Sequence, residues 1–507
     1  MPLKPEFFSK AVFLYATTLA GAVLSYIAIF FATRFIGEVN FGIVAFGLSF
    51  AGLFLFITDF GLTNSHTKKV SEGEDLQSCL SVFMLMRLLL IGIFSVFVVA
   101  ALFFWEDILG QGFEYPETHL IILIILLYYV QTSITGVFIS MFLAQRDVVR
   151  AQMITISDLG ARALVTLLVV AMNWGLVGLA CAYAVEGAVA LSVALIIARG
   201  RLPRIRLSAA RKALLKQYFS FAAPIAVATV FGTIVLYLDK VLIQYSLSSA
   251  ETGIYFASQR MLSFYLALSP VVASMAYPAI SQLHSQKDSK GQISQMITSL
   301  MRYFLLITIP IMFFLVAFSG DILSIFLSAP FAAGATAFSI LAIAYSIGLT
   351  ISPFSSQTLG MGLSKTYAKY VMIAIIVMII LDFLLIPSNL LSIPLFGWGK
   401  EGAAVSFLIG EFILAALFYA NARKTLQLKF PKGFLRITAA AAISIAAVYV
   451  LALYINITRF YDVVALLLLY GGIFICFAIV FRAISTHEIK ELIRMLRSKH
   501  LFHRPNN

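Results

Sequence analysis

The sequence predicts an all-α polytopic membrane protein. It has fourteen transmembrane helices: two six-helix lobes related by an internal repeat, and two extra C-terminal helices. Three observations carry this. First, 61% of the 507 residues are hydrophobic and 12% charged, with a mean hydropathy of +0.98; a soluble domain is about half apolar and a quarter charged. Second, apolar runs of membrane-spanning length recur along the whole chain. Third, basic residues crowd onto alternate connections.

A span needs about 20 apolar residues at a rise of about 1.5 Å each. The runs that meet this are 11–33, 41–58, 80–104, 118–143, 154–172, 175–198, 218–237, 252–280, 303–318, 331–353, 368–386, 401–420, 437–454 and 462–481. The first is too long for the apolar core of a cleavable signal peptide, so it reads as a retained helix. The chain then divides into a first lobe at 1–198, a linker at 199–217, a second lobe at 218–420, a loop at 421–436, the extra pair at 437–481 and a basic tail at 482–507.

Charge sets the orientation. The segments on the side of the N-terminus hold 29 of the 36 Lys and Arg; the opposite connections hold four, and the spans three. The positive-inside rule places both termini in the cytoplasm, in a cell (cytoplasmic) membrane. The net charge of +13 therefore marks anionic lipid headgroups as partners, not nucleic acid. Arg199, Arg201, Arg204, Arg206, Arg211 and Lys212 form the densest cluster. Two basic stretches, 208–217 and the tail from Ser485 to Arg497, have the spacing of membrane-surface helices.

Other function classes find little support. Cys79, Cys181 and Cys476 are far apart and form neither a disulfide framework nor a metal spacing. No two histidines stand at metal spacing. No Walker motif appears. The connections opposite the N-terminus are short, and an acidic stretch at 105–117 is the best place for catalytic carboxylates. Topology alone accounts for it.

Three matched stretches recur in order. Gly42-Ile-Val-Ala parallels Gly253-Ile-Tyr-Phe. Ala144-Gln-Arg-Asp parallels Gly362-Leu-Ser-Lys. Trp174-Gly-Leu-Val-Gly178 parallels Trp398-Gly-Lys-Glu-Gly402. Their offsets of 211, 218 and 224 residues indicate a duplicated six-helix unit whose copies insert in the same orientation.

Charges inside the spans are costly and are by default candidates for function. Asp158 and Arg162 are four residues apart and can pair on one helix face. Arg87 can snorkel to the cytoplasmic surface; Asp59 and Lys400 sit at interfaces as anchors. Glu186 and Glu411 lie mid-span. Asp239 and Lys240 close the seventh span. Arg260 stands apart: it lies deep in the eighth span with no acid within a turn, so it should face a polar cavity. The repeat places Ser49 at the equivalent position, which makes Arg260 an asymmetric element.

These stretches carry a resemblance. Ala32-Thr-Arg-Phe-Ile-Gly37, Thr58-Asp-Phe-Gly-Leu62, Leu238-Asp-Lys-Val-Leu-Ile243, Thr252-Gly-Ile-Tyr255 and Gly397-Trp-Gly-Lys-Glu-Gly-Ala-Ala404 resemble the polysaccharide flippases of the multidrug/oligosaccharidyl-lipid/polysaccharide exporter superfamily. The resemblance covers essentially the whole chain. It implies two lobes in a V around a cavity that opens alternately to each side. It implies a polyprenyl-(pyro)phosphate-linked oligosaccharide as substrate, with polysaccharide polymerase machinery as a partner. It implies that Arg260 and Arg34, with Lys240 at the cavity mouth, hold the head group. It brings Asp239, Asp382 and Ser406 nearest to a sodium site, so Na+ or H+ coupling is expected and no other cofactor. Two rivals stay open: an ion-coupled multidrug or metabolite antiporter of the same superfamily, and a membrane polysaccharide polymerase or ligase. A scaffold in a polysaccharide assembly complex is a third.

Overall fold

The computed structural model describes residues 5–108, 112–145, 147–201, 203, 212–263, 265, 276–277, 279–286, 289–390, 392–428 and 433–483. The expected tail helix at 485–497, the cluster at Arg204, Arg206 and Arg211, and much of the eighth span after Ser263 lie outside the described residues.

The first group of helices is α1 (Pro5–Ile36), α2 (Glu38–Gly52), α3 (Leu62–Ser71), α4 (Leu76–Phe103), α5 (Thr118–Ala144), α6 (Val148–Ala171) and α7 (Gly175–Ala198). The second is α8 (Lys212–Ser246), α9 (Ser249–Met261), α10 (Lys290–Ala317), α11 (Ser319–Phe326), α12 (Ala335–Gly360), α13 (Ser364–Leu385) and α14 (Gly399–Leu426). A last pair, α15 (Phe434–Ala452) and α16 (Phe460–Val480), packs on α10. Among the described residues, eleven helices are long and apolar enough to span a membrane, or twelve with one bent pair. The expected span 252–280 contains residues outside that description, and fourteen spans remain compatible with the structure. The chain is a multi-pass membrane protein.

Several boundaries move. The expected loop at 281–302 already contains the start of α10, which makes the short 303–318 run part of a 28-residue helix. The 41–58 span is broken: α2 ends at Gly52, Leu55–Thr58 makes a tight 3-10 turn, and the chain resumes at a 47° bend. The bend has local causes. Gly61 adopts φ +81°, and a Cβ there would lie 2.9 Å from Ile225, so a side chain is disfavoured twice. Asp59 then accepts hydrogen bonds from the Thr63 amide (3.1 Å) and hydroxyl (2.6 Å), capping α3.

Arg87 does not snorkel. Its guanidinium is buried and donates to Asp59 Oδ1 (2.6 Å), the Thr58 carbonyl (2.6 Å) and the Ser133 carbonyl (3.3 Å). Asp59 is thus half of an ion pair that pins the broken span to α4 and α5, rather than an interfacial anchor. Arg87→Met leaves the Asp59 charge without its cation and the Thr58 carbonyl without this donor. The variant should lose about 3 kcal/mol of stability, as for breaking one partner of a buried pair. Adding Asp59→Asn should restore part of it, read as thermal unfolding in detergent.

The Trp-Gly entries of the repeat share one backbone geometry. Trp174 and Trp398 have φ −76° and −78°, each followed by a left-handed glycine, Gly175 at φ +60° and Gly399 at φ +57°. The equated glycines Gly42 and Gly253 meet. A Cβ on Gly42 would stand 1.7 Å from the Ser249 carbonyl oxygen, and one on Gly253 would stand 2.9 Å from Gly42 Cα. Helices α2 and α9 therefore cross backbone to backbone, as small residues permit in lipid. This contact is compatible with the expected duplication.

This crossing lies toward the membrane face opposite the basic clusters. There the apolar core is continuous through both groups, from Phe41, Phe46 and Trp105 to Tyr255, Phe331 and Leu341. Toward the basic face the cores of the described residues fall into two clusters. One is built on Phe83, Phe138 and Phe142 with Tyr218 of α8; the other is built on Ile297, Phe354 and Phe418.

Candidate functional site

A cleft of about 90 Å³ lies where α1, α6, α7 and α9 come together. Small residues of α1 (Ala22, Ser25, Ala28 and Ala32) form one wall, and Tyr183 and Thr166 another. Two arginines reach it, Arg162 and Arg260. Arg260 is in the last turn of α9 and solvent-exposed, with its guanidinium 4.9 Å from the centre of the Phe256 ring. Helix α9 owes its start to Ser248, whose hydroxyl accepts from the Glu251 amide at 3.3 Å. Thr252 to Ser258 are buried on every side of the helix, and Arg260, at its C-terminal end, emerges into the cleft.

Arg162 does not rely on the i−4 carboxylate that the spacing suggests. It donates to Ser25 Oγ on α1 (2.8 Å) and stands 3.6 Å from Glu186 Oε1 on α7. The reason is register. Helix α6 packs along both α1 and α7, so the face carrying Arg162 meets a neighbour before it can fold back on Asp158. Glu186 is 1% exposed. Asp158 lies within hydrogen-bond reach of Glu186 instead.

The other site residues form a separate cluster in the second group. Asp239 and Lys240 do not close their helix: α8 continues to Ser246, seven residues or roughly 10 Å further. Both residues are buried, 6% and 5% exposed. The Lys240 ammonium donates to the Leu236 carbonyl (2.6 Å) and to Asp239. Lys240 therefore does not line the arginine cleft, since its charge is already held by its own helix. Gln259 donates to Asp239 Oδ2 at 3.1 Å and to the Tyr255 hydroxyl at 3.2 Å. From α13, Asp382 (3% exposed) comes within electrostatic reach of Asp239 and Lys240 and beside the Ser406 hydroxyl. Asp239, Asp382 and Ser406 are thus brought together from α8, α13 and α14.

Arg34 is elsewhere again. At the exposed end of α1 it donates to the Ile325 carbonyl of α11 at 3.0 Å, so it bridges the two groups on the face opposite the basic clusters. Lys400 is buried and pairs with Glu251 at 2.6 Å, tying α14 to α9. Glu114, from the acidic connection at 105–117, accepts from the Ser249 amide at 2.8 Å. Contacts between the groups thus ring the Gly42–Gly253 crossing.

A second cavity, about 190 Å³, lies inside the second group between α12 and α14, lined by Tyr265, Tyr345, Ser352, Tyr367 and Glu411. Tyr129, Tyr255 and Tyr265 are buried. Tyr183 lines the arginine cleft and was not singled out by sequence. A tyrosine in an apolar run gives no sign of which neighbour it faces.

Known proteins resemble this chain over most of its length. The probable low-salt glycan biosynthesis flippase Agl15 of Haloferax volcanii is 24% identical over 430 residues, 81% of this chain and 82% of that protein. Among solved structures, the lipid II flippase MurJ in an inward closed conformation matches with a TM-score of 0.74 at 14% identity, covering 93% of this chain and 99% of its own. An inward-facing MATE multidrug resistance transporter of the MOP superfamily matches at 0.64 and 12% identity, covering 80% and 94%. At such identities these two show a shared fold. Residues 7–284 match the family model described as polysaccharide biosynthesis protein, and that match spans more than half of the sequence. The chain therefore belongs to the polysaccharide biosynthesis protein family.

Proposed function

We propose that this protein is a flippase that moves a polyprenyl-(pyro)phosphate-linked oligosaccharide across the cytoplasmic membrane by alternating access. The observation that carries the reading is Arg260: a guanidinium lining a cleft formed where helices of the two groups meet. A phosphate or pyrophosphate entering the membrane interior must exchange water for fixed donors, and arginine forks suit that geometry. The family match and the glycan flippase relative support the substrate class. The names of the matched proteins are those of flippases and transporters, not of enzymes.

Within this reading Arg260 holds the head group. Arg34 belongs to the closure of the opposite face, through Ile325. The basic face is cytoplasmic, by the charge bias. The Asp239–Asp382–Ser406 cluster is the candidate for coupling. Its two carboxylates face one ammonium, Lys240, so the fixed charges leave room for one more positive charge, Na+ or H+. Oxygen donors suit either.

The deciding experiment places the purified chain in liposomes with a labelled lipid-linked oligosaccharide and measures its exchange between leaflets. Exchange is expected to depend on the protein. Expulsion of a cationic dye without lipid exchange would establish the antiporter instead. Asp382→Asn should abolish any dependence of the exchange on a sodium gradient while leaving folding intact. Wild-type exchange that ignores both gradients, with normal Asp239→Asn and Asp382→Asn, sinks the coupling role.

A further inference from the structure

The first group contains a polar cluster that the proposed head-group and coupling sites do not use. Glu186 is almost fully buried, and neither of its carboxylate oxygens receives a hydrogen bond; Asp158 Oδ1 and Gln131 Oε1 are buried without a partner as well. Four unsatisfied acceptors in one neighbourhood are expensive in lipid. Asp158 and Glu186 stand within hydrogen-bond reach of each other, yet as two carboxylates neither can donate. One proton between them turns a repulsive contact into an O–H···O bond and removes most of the deficit.

The groups facing this pair can be named. Arg162 comes from the same helix as Asp158 and sits 3.6 Å from Glu186. Tyr183 comes from one turn earlier on α7, Tyr128 from α5 and Arg260 from α9; all act on Glu186 or share its field. Ser25, from α1, holds Arg162. The formal charges are two carboxylates and two guanidiniums. Fully ionised, the cluster is neutral and Arg162 is engaged with Glu186. In that state the cleft offers little to an anion. With a proton on the pair, Glu186 no longer competes and both arginines face the same cleft with unbalanced positive charge.

We propose that Asp158 and Glu186 share one exchangeable proton, and that Arg162 passes between Glu186 and the anionic head group as this proton leaves and arrives. Proton uptake and anion binding at the arginine cleft are then linked, and linkage is reciprocal. The inference rests on the reading of the cleft as a head-group site and adds to it a second arginine and a proton acceptor pair.

The test uses the full-length protein in lipid nanodiscs with inorganic pyrophosphate as the probe, titrated by calorimetry between about pH 5.5 and 8.5. For one linked proton, affinity falls about tenfold per pH unit on the alkaline side of the pair's titration. Glu186→Gln cannot reclaim Arg162, so it should keep the acid-side affinity across the range. The comparison removes the probe's own protonation, which is common to both proteins. Arg162→Met should weaken binding at every pH. Asp158→Asn can donate an amide N–H to Glu186 and favour its ionised form, so its fall-off should move to lower pH. This variant keeps the test decisive where Glu186→Gln does not fold. Parallel curves for wild type and Glu186→Gln, an unmoved fall-off in Asp158→Asn, or no pyrophosphate binding by wild type at any pH would each overturn the proposal. The flippase reading fails differently: linked pyrophosphate binding would persist while lipid-linked oligosaccharide fails to change leaflet.

Discussion

Gly42→Ala and Gly253→Ala should each cripple transport while leaving both helix groups folded. A methyl on Gly42 must occupy space 1.7 Å from the Ser249 carbonyl oxygen, and one on Gly253 space 2.3 Å from the Glu38 carbonyl oxygen. Both obstacles are backbone, so no side-chain rotation relieves them. Separation of α2 and α9 is the available response. Forced overpacking costs about 3 kcal/mol at the upper end of its usual range, which corresponds to a shift of roughly a hundredfold between closed and open forms of this face. The contacts around the crossing, Arg34 to Ile325 and Glu114 to Ser249, would be lost with it. Accessibility checks this directly. In a chain with Cys79, Cys181 and Cys476 replaced, a cysteine placed at Ser249 should react slowly with a membrane-impermeant maleimide. Adding Gly42→Ala should make it react much faster. Equal labelling together with full lipid exchange would remove the crossing from the transport cycle.

Arg260→Ala should reduce leaflet exchange by about one to two orders of magnitude with normal expression and thermal stability. The size follows from losing a hydrogen-bonded charge pair, about 1.5–3 kcal/mol. Stability should hold because Arg260 is exposed to the cleft and its ring contact with Phe256 is the modest kind expected of an accessible cation. Arg260→Lys should lie between the two, since an ammonium keeps the charge but not the planar fork. Full activity of both variants in proteoliposomes would end the role of this residue in head-group binding. Arg260→Ala and Arg87→Met therefore separate site from scaffold: the first should lose exchange and keep stability, and the second should lose stability first.

The sites divide along a physical line. Arg260 was legible in the sequence because it has no acid within a turn. A charge without a local partner in a membrane span must find a cavity or a distant partner, and here it reaches a cleft. Asp158 and Arg162 show the opposite case. Their i,i+4 spacing is a sound local argument, yet Glu186, 24 residues further along on α7, stands nearest the guanidinium. The partners of Arg87 and Lys400, Asp59 and Glu251, were hidden for the same reason, since they approach from other segments of the chain. The Asp239-Lys240 pair failed on helix length. Polar residues interrupted the apolar run, but a buried hydrogen-bonded network let α8 continue through them to Ser246.

The sequence by itself determined the membrane class, the approximate spans, the charge bias of the two faces, and the pairs of stretches whose geometry agrees between the two halves. These follow from transfer free energy, helical rise and steric demands of single residues, which act locally and so leave a mark in the linear order. The tertiary structure alone decided which charges meet, which tyrosines line the cleft, and that Gly42 lies against Gly253. Those depend on helix rotation and crossing, and a few degrees of rotation exchange one partner for another without changing any apolar run. The glycine crossing and the cleft around Arg162 and Arg260 arise there, from side chains and backbones of helices far apart in sequence.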